Sequence, residues 1–260
     1  MNKNISSGSK LFITEGIALF SGGIFDTEIH AHNAIQISIG MESDFIFETD
    51  DEAISTRLII INSNFKHKLI GKNGTQLLVL IEPESIYGES LGIFLGNKQY
   101  FQMSHDEKLL DFIDTNINSN SNLFKISDII KTLLDSLEIN IEYHSTIDHR
   151  VVKAMGIIDQ TVEKKLSIKE LADKIFLSES RLQHLFKLAT GISIKRYLLW
   201  KKMIDGINII VSGKDFTYSS YAAGFADSAH MSRTFKEMFG INLLDVFKVS
   251  RSVQVIRCKR

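Results

Sequence analysis

Between Leu11 and Glu82 apolar residues fall in short runs: Leu11–Thr14, Ile17–Phe20, Ala34–Ile39, Phe45–Glu48, Leu58–Ile61 and Leu77–Ile81. Gly22-Gly23, Gly40, Asp50-Asp51, Asn62 to Asn64 and Gly71 to Gly74 punctuate them. Short β runs broken at that spacing predict a small barrel or sandwich. Leu91 to Phe101 has no clear period and receives no assignment. Beyond it the period lengthens. Leu109, Leu110, Phe112, Ile113 and Ile117 predict one helix, and Ile126, Ile129, Ile130, Leu133, Leu134 and Leu137 a second. That second stripe suits packing against its own barrel. Residues 1–10 are polar and read as a loose terminus, and Glu138 to Arg150 as an interdomain linker.

From Val151 to Val162, Val152, Met155, Ile158 and Asp159 suggest a helix that packs beneath the C-terminal helices. Those helices carry one pattern twice. Leu185 to Ile192 recurs as Thr234 to Ile241, a shift of 49 that keeps Phe, Lys, Gly and Ile in register. Such a repeat means one structural unit used twice. In the first copy Ser178 caps a helix, Leu182, Leu185 and Phe186 form its buried stripe, and Gly191 stops it. In the second, Asp227 is the cap and Met231, Phe235 and Phe239 are the stripe. A short amphipathic helix precedes each: Ile168, Leu171, Ala172 and Ile175 before Phe176-Leu177, then Phe216, Ser219, Ser220 and Ala223 before Gly224-Phe225.

This is helix-turn-helix spacing, which places the second helix of each pair in a DNA major groove. Between the pairs, Ile194 to about Ile210 carries Tyr197, Trp200, Met203, Ile204, Ile207 and Ile210 at helical spacing. At about 1.5 Å per residue it would hold two reading heads roughly one DNA turn apart. The outward faces supply the contacts. Ser180, Gln183 and His184 in the first helix, and Ser228, Ser232 and Arg233 in the second, are the candidates for base edges. Gln183 suits adenine and Arg233 suits guanine, whereas Arg181, Lys187 and Lys236 suit phosphates. For any one of these residues the alternative is a solvated helix face.

Several stretches taken together resemble the AraC/XylS family of transcription regulators over roughly residues 150–250. They are Leu166 to Ala172, Leu177 to Lys187, Thr190 to Ser193 with Tyr197-Leu198, Ala223 to Ser228, Ser232 to Lys236 and Phe239-Gly240-Ile241. Three places depart from the family's pattern. Gly206 stands where the linker helix usually has Ala, at a cost of about 1 kcal/mol in helix propensity. Ser219-Ser220 replaces an Ile-Ala pair, and Asn242-Leu243-Leu244 comes after the last Gly in place of Pro.

Charge sharpens the division. The net charge of −1 conceals 20 Lys and Arg against 10 Asp and Glu in residues 150–260, and 10 against 21 in residues 1–149. The basic half is the one with the repeated helices, which suits a polyanion partner. The single cysteine, Cys258, forms no intramolecular disulfide and fits a reducing cytoplasm. No stretch approaches the roughly 18 apolar residues of a membrane span, and Glu15 interrupts Leu11 to Phe20, so neither a membrane nor a signal peptide is expected.

In the acidic half, His30-Ala31-His32 with Gln36, and His67 after Ile59 to Asn64, resemble the two motifs of a cupin barrel, the family's common sensor domain. Histidines two apart on a strand share a face, so His30, His32, Gln36 and His67 would offer three imidazoles and a carbonyl oxygen to a divalent ion. The alternatives are histidines hydrogen-bonded inside the barrel and, preferred here, an effector in the same cavity. No cofactor is called for.

The expected fold class is thus α+β with two domains. A cupin-like sensor barrel (1–100) with following helices for dimerisation or linking (101–140) precedes an all-α DNA-binding domain of two helix-turn-helix units joined by a long helix (150–250), and then a tail (251–260). The expected function is effector-responsive, sequence-specific transcription regulation on a double-stranded DNA operator, usually activation. The resemblance further implies RNA polymerase as partner and a homodimer, with the stripe from Ile126 to Leu137 as its contact if it does not pack against its own barrel. A metal-dependent cupin enzyme and an architectural DNA binder are the other classes. No acid/base pair supports the first, and two differently decorated helices argue against the second.

Overall fold

The computed structural model describes residues 10–14, 16–23, 26–71, 74–103, 106–118, 126–141, 147–161, 166–248 and 254–257. The chain divides into two compact units. One comprises Met1–Tyr143 together with Phe239–Arg260, and the other His144–Met238.

The first unit is built on two sheets. Its strands are β1 (Lys10–Thr14), β2 (Ile17–Gly23), β3 (Ile35–Gly40), β4 (Phe45–Glu48), β5 (Ala53–Thr56), β6 (Leu58–Ile61), β7 (Lys68–Ile70), β8 (Thr75–Ile81), β9 (Tyr100–Met103) and β10 (Gln254–Arg257). Seven pair in the order β10-β1-β2-β8-β3-β6-β9, and three in the order β5-β4-β7. All pairings are antiparallel except β1 with β10. The six predicted runs correspond to β1, β2, β3, β4, β6 and β8. No closed barrel forms among the described residues; both sheets are open. The reason lies in how the large sheet buries its two faces.

Alternate residues of β6 show it. Leu58 and Ile60 join Ile35, Ile37, Ile39, Leu77, Val79 and Ile81 in one apolar cluster, which three helices complete: α1 (Ile86–Leu95), α2 (Glu107–Asn118) and α3 (Ile126–Ser136). Ile59 and Ile61 point the other way and pack with Phe45, Phe47 and Leu69 of the small sheet. A strand covered on both sides reads as a continuous apolar run, and Leu58-Ile59-Ile60-Ile61 is one. The helices do the covering that barrel closure would have done. Ile129, Ile130, Leu133 and Leu134 of α3 are buried in that same cluster, so of the two readings of this stripe the structure supports packing within its own unit. The segment expected to be a tail supplies β10.

The second unit is helical: α4 (His149–Gln160), α5 (Ile168–Lys174), α6 (Glu179–Thr190), α7 (Ile194–Val211), α8 (Phe216–Ala222) and α9 (Ser228–Phe239), the last crossing the unit boundary at its final residue. Val151, Ala154, Met155 and Ile158 of α4 pack with Leu171, Ala172, Leu182, Leu185, Phe186, Ile194 and Tyr197. The expected Val152 and Asp159 instead face outward, Asp159 pairing with Lys201 of α7 at 3.4 Å. A short α10 (Leu243–Lys248) lies in the first unit. No helix among the described residues is long and apolar enough to cross a membrane.

Candidate nucleic-acid interface and buried histidine cluster

The α5–α6 and α8–α9 pairs are built by local chemistry that the sequence displays. Ser167 and Glu170 form a capping box on α5, each side chain accepting from the other's backbone N–H. The Ser178 hydroxyl accepts from Arg181 N–H at 3.3 Å to start α6, and the Asp227 carboxylate accepts from His230 N–H at 2.6 Å to start α9. The turns differ by one residue. Leu177 N–H donates to the Ala172 carbonyl in the first, and Phe225 N–H to the Ser220 carbonyl in the second, a shift of 48, while the second helices of the pairs repeat at 49. At the left-handed position the first turn holds Phe176 (φ +58°) and the second Gly224 (φ +85°). A non-glycine residue there costs on the order of 1 kcal/mol, which Gly224 avoids.

The departures at Ser219-Ser220 and Gly206 find their physical reasons here. Both serines are fully buried, and each hydroxyl donates to a carbonyl of its own helix region, Ser219 to Asp215 and Ser220 to Thr217, so no polar group is stranded. Gly206 is buried in α7, and a Cβ there would run into the terminal methyl of Met231 on α9. The space an alanine would use is occupied by methionine.

Burial then separates the faces of α6 and α9. Leu182, Leu185 and Phe186, and Met231, Phe235 and Met238, are buried. Ser180, Arg181, Gln183, His184 and Lys187 are exposed on α6; on α9, Arg233 is exposed and Ser228, Ser232 and Lys236 are half-buried. Phe239, expected in the buried stripe, is only half-buried and belongs to the first unit, and Met238 takes its place. Residue-by-residue reading passes over Lys195, which is exposed in the first turn of α7. Its signal is available in the sequence, since it comes two residues after the Ser193 N-cap.

The other site lies in the first unit, on the face of β3 opposite the large apolar cluster. Alternation along β3 turns Ile35, Ile37 and Ile39 one way and buried Gln36 and Ser38 the other. His30, His32 and His67 gather there, all buried. His30 and His67 form an antiparallel bridge through both backbone hydrogen bonds, each 2.9 Å. Their ring centroids are 4.3 Å apart, and His32 lies 5.7 and 5.5 Å from them. Each ring is anchored through Nδ1 to a carbonyl two residues away in sequence: His30 to Glu28 at 2.9 Å, His32 to Ala34 at 3.0 Å and His67 to Phe65 at 2.9 Å. The carbonyl accepts, so in His30 and His67 Nδ1 carries the proton and Nε2 the lone pair, whereas His32 faces an oxygen at each ring nitrogen.

His32 Nε2 meets the Gln36 side-chain amide at 2.8 Å, and that amide meets Ser38 Oγ at 2.8 Å. Gln36 turns its Oε1 to His32 Nε2 and donates from its NH2 to Ser38 Oγ. His67 Nε2 is buried with no hydrogen-bond partner. Burial, and secondarily the neighbouring His32, push His30 down to about 4; burial, with His30 and His32, pushes His67 well below the usual imidazole range. Near pH 7 both rings are neutral.

All four residues singled out in the acidic half therefore come together. Missed by sequence reasoning are Ser38, which ends the hydrogen-bond chain, and Phe239 and Gly240 of the same unit. Phe239 lies 5.9 Å from the His32 ring, and Gly240 accepts at its carbonyl from Glu28 N–H at 2.7 Å. Gly240 (φ +69°) has no room for a side chain: a Cβ would strike the Glu28 carbonyl oxygen and lie 2.7 Å from His30 Nδ1. Ser38 is legible from alternation, but nothing local links residues some 200 positions away.

Residues 171–248 match a protein family described as a helix-turn-helix domain. The chain is 25% identical over 225 residues to the probable transcriptional regulator LumQ of Photobacterium leiognathi, spanning 82% of this chain and 89% of that one. It is 32% identical over 126 residues to the arabinose operon regulatory protein of Escherichia coli, 46% and 42% of the two chains. Against the Msm operon regulatory protein of Streptococcus mutans it is 28% identical over 141 residues, 51% and 50%. For these last two it spans half of the relative or less. Among solved structures, ToxT from Vibrio cholerae superposes with a TM-score of 0.64 at 11% identity, covering 92% of this chain and all of that one. A form of ToxT bound to an unsaturated fatty acid superposes at 0.60 and 10% identity, covering 98% of this chain. That likeness shows the fold: a β-rich N-terminal region and a helical C-terminal one.

Proposed function

Because the chain belongs to the AraC family of DNA-binding transcription regulators, we propose that α5–α6 and α8–α9 are two helix-turn-helix readers that enter successive major grooves of an operator. The observation that carries this is the pair of second helices, each with a buried apolar stripe and an opposite polar or basic face. On α6, Gln183 reads adenine through two hydrogen bonds, with Ser180 and His184 beside it. On α9, Arg233 reads guanine through O6 and N7, with Ser228 and Ser232 beside it. Arg181, Lys187 and Lys236 neutralise phosphates and set register. At 18 residues, α7 is about 27 Å long, a length suited to readers spaced by roughly one DNA turn.

The β-rich unit is the sensor in this proposal. Its fold is shared with a protein that takes up an unsaturated fatty acid, and an effector bound there shifts the population of DNA-competent states. A homodimer and contact with RNA polymerase complete the scheme by family analogy.

Selection of bound sites from a random DNA pool tests the reading, repeated with Gln183→Ala and Arg233→Ala. A motif of two short blocks about one turn apart is expected, each block relaxed by one substitution. Absence of any enriched motif across salt concentrations would overturn sequence-specific reading.

A further inference from the structure

We propose that His30, His32 and His67, with the side-chain oxygen of Gln36 beside them, form a binding site for a divalent transition metal of the zinc class. The site goes beyond DNA reading: it would take up metal whether or not α6 and α9 touch bases.

Three buried imidazoles have demands that the surrounding chain meets only in part. Each ring has one donor and one acceptor when neutral, and a buried acceptor left without a partner costs about 1–3 kcal/mol. One ligating atom from each ring lies within 4.8 Å of the others, and the group contains no carboxylate and no cysteine among the described residues. No acid in the group makes the rings cationic, and no donor reaches His67 Nε2. The buried His67 Nε2 is left without a partner, and a cation held among the three rings would supply one.

The anchoring has the form a metal requires. All three rings are held through Nδ1 on backbone carbonyls, the outer anchor that orients Nε2 for a metal and, in His30 and His67, fixes the tautomer that leaves Nε2 as ligand. The His30–His67 backbone bridge fixes the spacing of two of them before any ion arrives. A tetrahedral ion with bonds of about 2.1 Å needs ligand atoms roughly 3.4 Å apart. Binding would therefore draw together ligand atoms that already lie within 4.8 Å of one another. His32 gives up its contact with Gln36 for the ion, and the Gln36 oxygen already beside the ring becomes the fourth donor. Three imidazoles and a neutral oxygen suit zinc, cobalt or nickel better than calcium or magnesium, which demand more oxygens.

The test uses the full chain without an affinity tag, stripped by chelator. Co2+ is expected to give visible d–d absorption at one equivalent, Zn2+ to abolish it by displacement, and Zn2+ to raise the melting temperature. His67→Gln, close in volume, is expected to weaken Zn2+ binding at least about 10-fold, and His30→Gln to do the same should the first variant fold poorly. Gln36→Glu is expected to strengthen it about 10-fold by placing a carboxylate in the fourth position. Operator affinity of the metal-free His67→Gln variant, measured alongside, reports folding of the reader separately. Wild-type protein that is folded yet shows neither the absorption nor the melting shift overturns the proposal. So does equal Zn2+ affinity in wild type and both histidine variants.

Discussion

Substituting Gly206 by alanine sets helix propensity against packing in a way the structure decides. In an open helix the change would stabilise by about 1 kcal/mol. Here the new Cβ would overlap the methyl of Met231, stand 3.2 Å from its sulfur and 3.4 Å from the Ala223 Cβ. Met231 is fully buried, so its methyl has no open space to retreat into. Overpacking a core costs about 1–3 kcal/mol, which leaves Gly206→Ala destabilised by about 1 kcal/mol. Met231→Ala by itself opens a cavity and costs about 2–5 kcal/mol. In the Met231→Ala background the collision is gone and Gly206→Ala becomes stabilising by about 1 kcal/mol. The two substitutions therefore couple by roughly 2 kcal/mol. Trp200, the chain's single tryptophan, is buried on the same helix, so its fluorescence during urea denaturation reports this unit alone. Equal stabilisation of both backgrounds by Gly206→Ala would refute the account and leave Gly206 a mere weakness of the helix.

Lys187→Ala and Lys236→Ala should each weaken operator binding uniformly across sequences and reduce the slope of log affinity against log salt by about 0.9; a sequence-dependent loss would reassign the residue to base contact. The metal-free chain should lose stability as pH falls from about 6.5 towards 4. His30 and His67 are held neutral in the folded state, so the unfolded chain binds more protons in that window, stability is complete above it, and protonation pulls towards unfolding. For His30 the loss is about 2 kcal/mol by pH 5, read as a shift in urea midpoint. His30→Gln should flatten the profile by that amount, and an unchanged profile would contradict the assignment.

The sequence disclosed elements wherever one periodicity dominated. β3, β6 and β8 are apolar runs between turn residues, and α6 and α9 carry stripes at helical spacing. It concealed α1, where Gly88 and Gly92 dilute helical character; Gly88 is required because a Cβ would strike the Glu82 carbonyl oxygen. It concealed β7, which has only three residues, and β5, whose Ala53-Ile54-Ser55-Thr56 is mostly outward-facing. Strand count alone could not separate a barrel from packed sheets. That choice rests on α1, α2 and α3 covering one face of the large sheet. The histidines are visible as His-x-His and a distant His67, whereas the anchoring carbonyls of Glu28, Ala34 and Phe65 leave no side-chain signature.

The polypeptide passes between its two units twice, after Tyr143 and after Met238. Residues 144–238 are spliced into the first unit's sequence rather than appended to it. Backbone scission at the first crossing would leave the downstream fragment carrying β10, still paired along β1 from Lys10–Gln254 to Ile13–Arg257. The fragments would complement each other instead of parting, and a gene cut short at the second crossing would strip the large sheet of one edge.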